Sequence, residues 1–370
     1  MSLLGTVGAA IKFGLGLHHL QVAGEYLYYY LPSVPGRSIQ FTRSYQTIMK
    51  TLETIGTHSG TFHCDEVLGC AMLKLLFPNA KIVRSRDDAV LDKCDIVIDV
   101  GGVYDVEKYR FDHHQRGFEE TASSLLPGKP WKIKLSSAGL VYCHFGKDIL
   151  RCVVNIEDDK NLDKVFDKVY ESFVQEIDGI DNGIPMCCET MKYSISTNLS
   201  SRVAQLNKGW NQKEFDETKA FEQAMSMVCD EFKERVRYYA EDWLPARCIV
   251  QSAIEKRFET DTSGEIIEFS QFCPWKAHYF DLEAEMDLKP TVKYAIFDGG
   301  DSWRVQAVPL DEKSFILRIP LLKEWQGLRE AQIKDVDGAI FVHGTGFIGG
   351  NKTRDGALLM ARKSLAAGTQ

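Results

Sequence analysis

Apolar residues are nearly continuous from Glu66 to Phe77, Glu-Val-Leu-Gly-Cys-Ala-Met-Leu-Lys-Leu-Leu-Phe, and the run predicts a largely buried helix ended by Pro78-Asn79. Lys81-Ile-Val-Arg84 then reads as a short strand, and Asp95-Ile-Val-Ile-Asp-Val100, bounded by Gly101-Gly102, as a second, buried one. Strand, helix, strand spacing implies parallel α/β construction. A third strand over Lys108–Phe111 delivers Asp112-His113-His114 to its carboxyl end, the edge where open α/β sheets gather ligands. Pro127-Gly128-Lys129-Pro130 marks a loop, and Ser136-Ser137-Ala138-Gly139 opens a helix running through Phe145. Residues 161–177 follow a helical pattern into an acidic turn, Glu176-Ile-Asp-Gly-Ile-Asp-Asn-Gly183, and a long helix spans roughly 213–242, ending near Pro245.

Beyond Pro245 the pattern alternates, predicting strands at Arg247–Val250, Ile266–Phe269, Val292–Phe297, Trp303–Val308 and Ala339–Val342 and a closing helix from Asp355 to about Ser364. The expected class is α/β, a parallel-sheet domain followed by a smaller α/β domain, the second being the one that binds substrate by the resemblance set out below. The expected divisions are an extension over 1–50, a metal-binding catalytic domain over 51–210, a helical connector over 211–245 and the second domain over 246–370. The stretch 211–245 fits packing against the first domain as well as it fits a connector.

Length is consistent with about two domains. The net charge of −8 provides no global basic field for nucleic acid, so a polyanion must be held by a local patch or by metal. Ten cysteines, Cys64, Cys94, Cys187 and Cys188 among them, form no C-x-x-C pair and read as free thiols of a reducing compartment. Residues 1–50 hold one acidic residue, Glu25, against Lys12, Arg37, Arg43 and Lys50, a composition that suits an organelle transit peptide or an extension with no address in it. Lys12 and His18-His19 interrupt the apolar part, so no membrane span is expected.

His58, His63 and Asp65 lie on a loop leading into the first helix, while Asp99 and Asp112 end neighbouring strands. Imidazoles and carboxylates in this mixture predict a divalent-metal site. Five such groups suffice for two cations sharing a carboxylate, a pair that clamps a phosphoryl group and acidifies water for hydrolysis. Without metal, the carboxylates would raise one another's pKa values. Asp112, His113 and His114 are the expected catalytic residues. The two imidazoles point opposite ways on an extended segment, one serving metal or scissile phosphate and the other acting as a supporting group or acid. Trp210, Trp275, Trp303 and Trp325 offer rings that either stack nucleobases or pack in the core.

The segments Gly56–Glu66, Asp95–Gly102, Phe111–Arg116, Leu135–Gly139, Glu176–Gly183 and Phe341–Gly350 together resemble the DHH phosphoesterase superfamily and, within it, the melanocyte-proliferating-gene family, from Gly56 to Leu365. That resemblance implies a metal-dependent 3'-5' RNA exonuclease of mitochondrion and nucleus that takes single-stranded RNA and two Mn2+ or Mg2+ ions. It implies metal ligands at His58, His63, Asp65, Asp99, Asp112 and Asp178, with Asp181 competing for the last place unless it only makes an Asx-turn with Asn182-Gly183. His63 stands where the superfamily has Asp, one residue further along, which bears on the choice of metal. The segment His343-Gly344-Thr-Gly346-Phe-Ile-Gly349-Gly350-Asn-Lys352-Thr-Arg354 resembles the superfamily's substrate-gripping loop, although there the His follows the glycines. Its backbone amides and basic groups would hold phosphate, unless it is a glycine-rich turn serving only the fold. The rivals are a hydrolase of pyrophosphate or a dinucleotide, favoured by the acidic charge, and an RNA-binding module without activity.

Overall fold

The computed structural model describes residues 52–189 and 191–368, together with a short backbone pair of strands, Val22–Ala23 and Tyr26–Leu27. The transit-peptide expectation otherwise falls outside the described residues.

The first sheet comprises β1 (Thr54–Thr57), β2 (Lys81–Arg84), β3 (Ile96–Ile98), β4 (Tyr104–Asp105) and β5 (Arg110–Phe111), in the order β2-β1-β3-β5-β4. All pairings are parallel except β4 with β5. Asp95 is a strut of this sheet: its Oδ2 accepts from the Glu53 and Thr54 amides at 2.9 Å and from Thr54 Oγ1 at 2.8 Å, fixing the start of β3 against β1. The third expected strand is shorter than Lys108–Phe111, because Val106–Lys108 forms a 3-10 turn closed by Tyr109 at φ 54°.

Over the sheet lies α1 (Cys64–Leu76), buried from Cys64 through Leu73. Gly69 allows the close approach, since a Cβ there would sit 2.8 Å from Ile98 Cδ1. Against α1 pack α2 (Ser137–Val153), two turns longer than its sequence pattern marks, and the run α3 (Asp159–Val169), a π-turn at Tyr170–Val174 and α4 (Gln175–Asp181). The expected acidic turn is therefore helix, held by buried hydrogen bonds to Asp178 described below. After α5 (Leu199–Ala204), α6 (Glu217–Arg237) buries Phe221, Ala224, Val228, Phe232 and Val236 in the same core.

The chain does not leave helix at Pro245. A π-turn at Tyr238–Trp243 leads into α7 (Leu244–Glu255), whose first turn contains the proline, where an amide is dispensable. The predicted strand Arg247–Val250 is part of α7: Ala246, Val250, Ala253 and Ile254 are buried at helical spacing, a pattern four residues are too few to reveal.

The second sheet holds β6 (Ile266–Phe269), β7 (Tyr294–Asp298), β8 (Trp303–Ala307), β9 (Ala339–Val342) and β10 (Ile348–Asn351), in the order β9-β10-β8-β7-β6, with only β6 and β7 parallel. α9 (Arg354–Gly368) packs with Tyr294, Ile296, Val305 and Val342, and α7 with α8 (Lys276–Glu285) packs with Ile267, Phe269, Ala295 and Phe297. The protein is thus an α/β fold with a parallel sheet and a second, mixed sheet, each with its own core. Among the described residues no helix is long and apolar enough to cross a membrane.

Candidate metal centre

The carboxyl ends of β1, β3 and β5 converge with the amino end of α1 and the carboxyl end of α4. β1 carries His58, β3 carries Asp99, β5 carries Asp112-His113-His114, α1 carries Asp65 and Glu66, and α4 carries Asp181. Asp99 adopts φ 57°, a left-handed backbone that costs a residue with a side chain about 1–3 kcal/mol, and Gly101 and Gly102 follow it with positive φ. This bend aims the Asp99 carboxylate across the end of the sheet.

The two oxygens of Asp99 face different partners. Oδ2 lies 3.3 Å from His58 Nε2, which is also 3.0 Å from Glu66 Oε1. Oδ1 lies 3.3 Å from His113 Nε2, which is also 3.2 Å from Asp181 Oδ2 and 3.8 Å from Asp65 Oδ2. Three sets of donor atoms lie within 4.8 Å of one another: His58, His63, Glu66 and Asp99; Asp99, His113 and His114; Asp65, His113 and Asp181. The sets are chained through Asp99 and His113.

These residues fit a metal by a test internal to the fold. Both ring nitrogens of His113 and Asp65 Oδ1 are buried with no hydrogen-bond partner, although His113 Nε2 has three carboxylates around it. Buried polar atoms left unpaired cost about 1–3 kcal/mol each. Ligands that converge on a common point, without the angles of mutual hydrogen bonds, show this arrangement.

Two adjacent serines organise the cluster. Ser137 donates its amide to Asp65 Oδ2 at 3.3 Å and its hydroxyl to Asp99 Oδ1 at 3.2 Å. Ser136 caps α2 and donates its amide and hydroxyl to Asp178 Oδ1 at 2.9 and 2.7 Å, while the Tyr170 hydroxyl donates to Asp178 Oδ2 at 2.9 Å. Asp178, expected as the last ligand, is thus spent on joining α4 to the start of α2, and Asp181, three residues on, faces His113. Asp112 also stands outside the three sets. Its Oδ2 accepts from the Gly102 amide at 2.6 Å, and its Oδ1 from the His114 amide at 3.1 Å, with His114 Nδ1 2.8 Å away.

Two groups at the cluster were given no ligand or catalytic role in the sequence reading. Glu66 is a helix-start residue, and its carboxylate accepts from the His63 amide at 2.9 Å while facing His58; only its place one residue after Asp65 marks it. Arg86, beyond β2, brings Nη2 to 3.2 Å from His58 Nδ1 and donates Nε–H to the Ser59 carbonyl at 3.1 Å. Nothing in the spacing of the motifs points to it. With His58, His63, Asp99, Asp112 and His114 it lines a cavity of about 310 Å3, and His63, Asp65, His114, Asp181 and Ser200 line another of about 440 Å3.

Electrostatics follow the geometry. Burial opposes a charged His58 ring, but hydrogen bonds to Asp99 and Glu66 outweigh it and push its pKa up to about 10. Burial likewise opposes charge on Asp99, yet His113 and His58 hold it well below the usual carboxylate range. Asp65, by contrast, is pushed well above its ordinary value by burial and by the charges of Asp99, Asp181 and Glu66. Its hydrogen bond to Asp112 raises His114 against partial burial.

The glycine segment is a hairpin rather than a turn into a helix. Gly349 and Gly350 are strand residues of β10, where a Cβ on Gly349 would lie 2.9 Å from Met360 Cε and one on Gly350 2.8 Å from Phe341 Cε1. Gly344 and Gly346 form its tip, Gly346 at φ 72°, with His343 Nδ1 3.0 Å from Thr345 Oγ1. Lys352 is exposed, and Arg354 is engaged by Glu268 through Nε at 2.8 Å and Nη2 at 2.5 Å.

Comparison with known proteins adds the family. The MYG1 exonuclease family model, described as an uncharacterised protein family (UPF0160), matches residues 54–365. The mouse (Mus musculus) MYG1 exonuclease is 51% identical over 321 residues, 84% of each chain, and the human (Homo sapiens) one 49% identical, over 84% of this chain and 85% of that one. The MYG1 protein of Dictyostelium discoideum is 48% identical over 84% of this chain and 96% of its own. Among solved structures, RecJ of Thermus thermophilus in complex with Mn2+ aligns at 13% identity over 88% of this chain and 54% of that one, with a TM-score of 0.24, too low to bear on the fold. The matched segment takes in both sheets and every residue of the cluster, so this chain belongs to the MYG1 exonuclease family.

Proposed function

We propose that the protein is a divalent-metal-dependent phosphodiester hydrolase, and within that class a 3'-5' exonuclease of single-stranded mitochondrial and nuclear RNA. The observation that carries the hydrolase reading is the buried cluster itself, in which Asp99 presents one oxygen to His58 and the other to His113. Exonuclease relatives at about half identity support the nuclease class; RNA, polarity and location rest on the family resemblance. His58, His63 and Glu66 would hold one ion and Asp65, His113 and Asp181 a second, with Asp99 available to both, a donor mixture suited to Mn2+ or Mg2+. Bound there, such ions would offset phosphoryl charge and acidify water.

The chain's own groups do the rest. Arg86 grips a phosphate oxygen with the guanidinium edge left free by Ser59 and His58. Asp112 takes the Nδ1 proton of His114 as a hydrogen bond, so the exposed Nε2 is left to pass a proton to the leaving oxygen. The second sheet contributes substrate contacts from the His343–Gly346 tip and Lys352; Arg354 serves through Glu268.

The test is a labelled oligoribonucleotide incubated with manganese or magnesium. Stepwise shortening from the 3' end is expected, and its loss in Asp112→Ala/His113→Ala with the fold intact. A protein that takes up metal but releases nothing from RNA is no ribonuclease. Two observations favour a second reading: cavities of about 310 and 440 Å3 and a charge of −8 suit a small phosphate. Faster turnover of pyrophosphate than of RNA would establish it.

A further inference from the structure

We infer that Trp210 is a stacking platform for a base of the strand whose phosphate lies at the metal cluster, an inference that rests on the nuclease reading above. Trp131, Trp243, Trp275 and Trp325 are buried and Trp303 is half-buried, whereas Trp210 is 97% exposed. An indole left in water gains nothing for folding, so its place on the chain is informative.

That place is rigid and hitched to the metal-bearing loop. The Gln212 amide donates to the Gly209 carbonyl at 3.0 Å, closing a turn over Trp210-Asn211, and the Gly209 amide donates to Gln212 Oε1 at 3.3 Å. On one side Asn207 clamps both backbone groups of Phe62, the residue before His63, at 2.9 and 2.8 Å. On the other, Glu217 Oε1 accepts from the Gly60 amide at 2.9 Å and from Arg84 Nη1 at 2.6 Å, while Arg84 Nη2 donates to the Gly60 carbonyl at 2.7 Å. The loop carrying Trp210 is therefore pinned at both ends to the loop carrying His58 and His63. Trp210 stands three positions beyond Asn207, so its Cα is at most about 11 Å from that of the residue that holds Phe62, next to His63.

Lys208 and Lys213, both exposed, flank the turn. A rigid aromatic face with ammonium groups beside it recognises single-stranded nucleic acid without regard to sequence, because every base has a π-face and every linkage a phosphate. Pyrophosphate has no such face. Trp210 would thus make this site select polynucleotide over small phosphates.

Tryptophan fluorescence of the full chain, titrated with a short oligouridylate, tests this. His114→Ala, which removes the proton donor and leaves both proposed ligand sets whole, accompanies every variant so that the strand is not consumed while manganese stays bound. Oligouridylate should quench the emission. W210A should remove most of the quenching and weaken binding about ten-fold, while W210F, which keeps an aromatic face, should hold affinity within about three-fold. Equal affinity for W210A and its parent would overturn the platform alone. So would a W210A defect confined to self-association, seen by sedimentation. A parent that binds no oligouridylate, while the wild type hydrolyses pyrophosphate, would remove the nuclease reading and the platform with it.

Discussion

Gly139 shows at one residue how tightly the cluster is braced. A Cβ there would stand 2.3 Å from Asp178 Oδ1, and the neighbour in the way is a buried carboxylate with three hydrogen bonds. Gly139→Ala should therefore cost about 1–3 kcal/mol in urea denaturation and, by shifting α4, weaken metal uptake measured by titration. Asp178 itself yields a pH prediction. Burial pushes it up from 3.8 to about 7, against the hydrogen bonds from Ser136 and Tyr170. The folded form holds the proton more tightly than the unfolded chain does, so this group's stabilisation is complete below about pH 4 and fades as pH rises through about 7. Asp178→Asn should flatten that slope in urea midpoints taken across the range. Arg86→Ala, removing a cation that ligates no metal, should leave metal content unchanged and raise the KM for a phosphodiester about ten-fold or more, a loss Arg86→Lys only partly restores.

At the scale of elements, the buried α1, the strands β6 to β9 and the start of α2 were legible because apolar period and capping serine agree there, whereas β10 was hidden by its glycines. The misreadings share one cause, a local pattern outweighed by partners far along the chain. Glu176–Asp181 looks like a turn until Ser136 and Tyr170 supply hydrogen bonds to Asp178, and Arg247–Val250 looks like a strand until the π-turn before Pro245 keeps the helix going. The same logic left Asp178 and Asp181 as rivals for the last place, since only a helix sets the later residue toward His113. α8 and the segment after β8 are tied by Arg318 and Glu283, paired at 2.6 Å through two nitrogens and both carboxylate oxygens. Although burial works against its charge, Arg318 holds Glu283 below its ordinary 4.5. Stability from this pair is present above that value and lost as pH falls through the folded one. Glu283→Gln should remove that part of the acid dependence, about 1 kcal/mol near neutrality for a partly exposed pair.

For the whole molecule, two cores are joined by a continuous helical path and by ion pairs such as Lys313–Glu171 at 2.8 Å and Lys168–Glu312 at 3.6 Å. The two-sheet plan could be read from the change of pattern after Pro245; the covering of the first core by α6 could not be separated from a free connector until its partners were visible. A metal that binds only the folded cluster should stabilise the first core. Manganese at 100 times its dissociation constant is expected to add about 2.7 kcal/mol, seen as a rise in melting temperature that chelation reverses and Asp65→Asn abolishes. The left-handed bend at Asp99 carries a kinetic consequence. Its conformational cost is met when the chain folds, so the Asp99 carboxylate already faces His58 and His113 before any cation arrives. Stopped-flow mixing with manganese should give an observed rate that climbs in proportion to ion concentration, with no plateau set by a rearranging backbone.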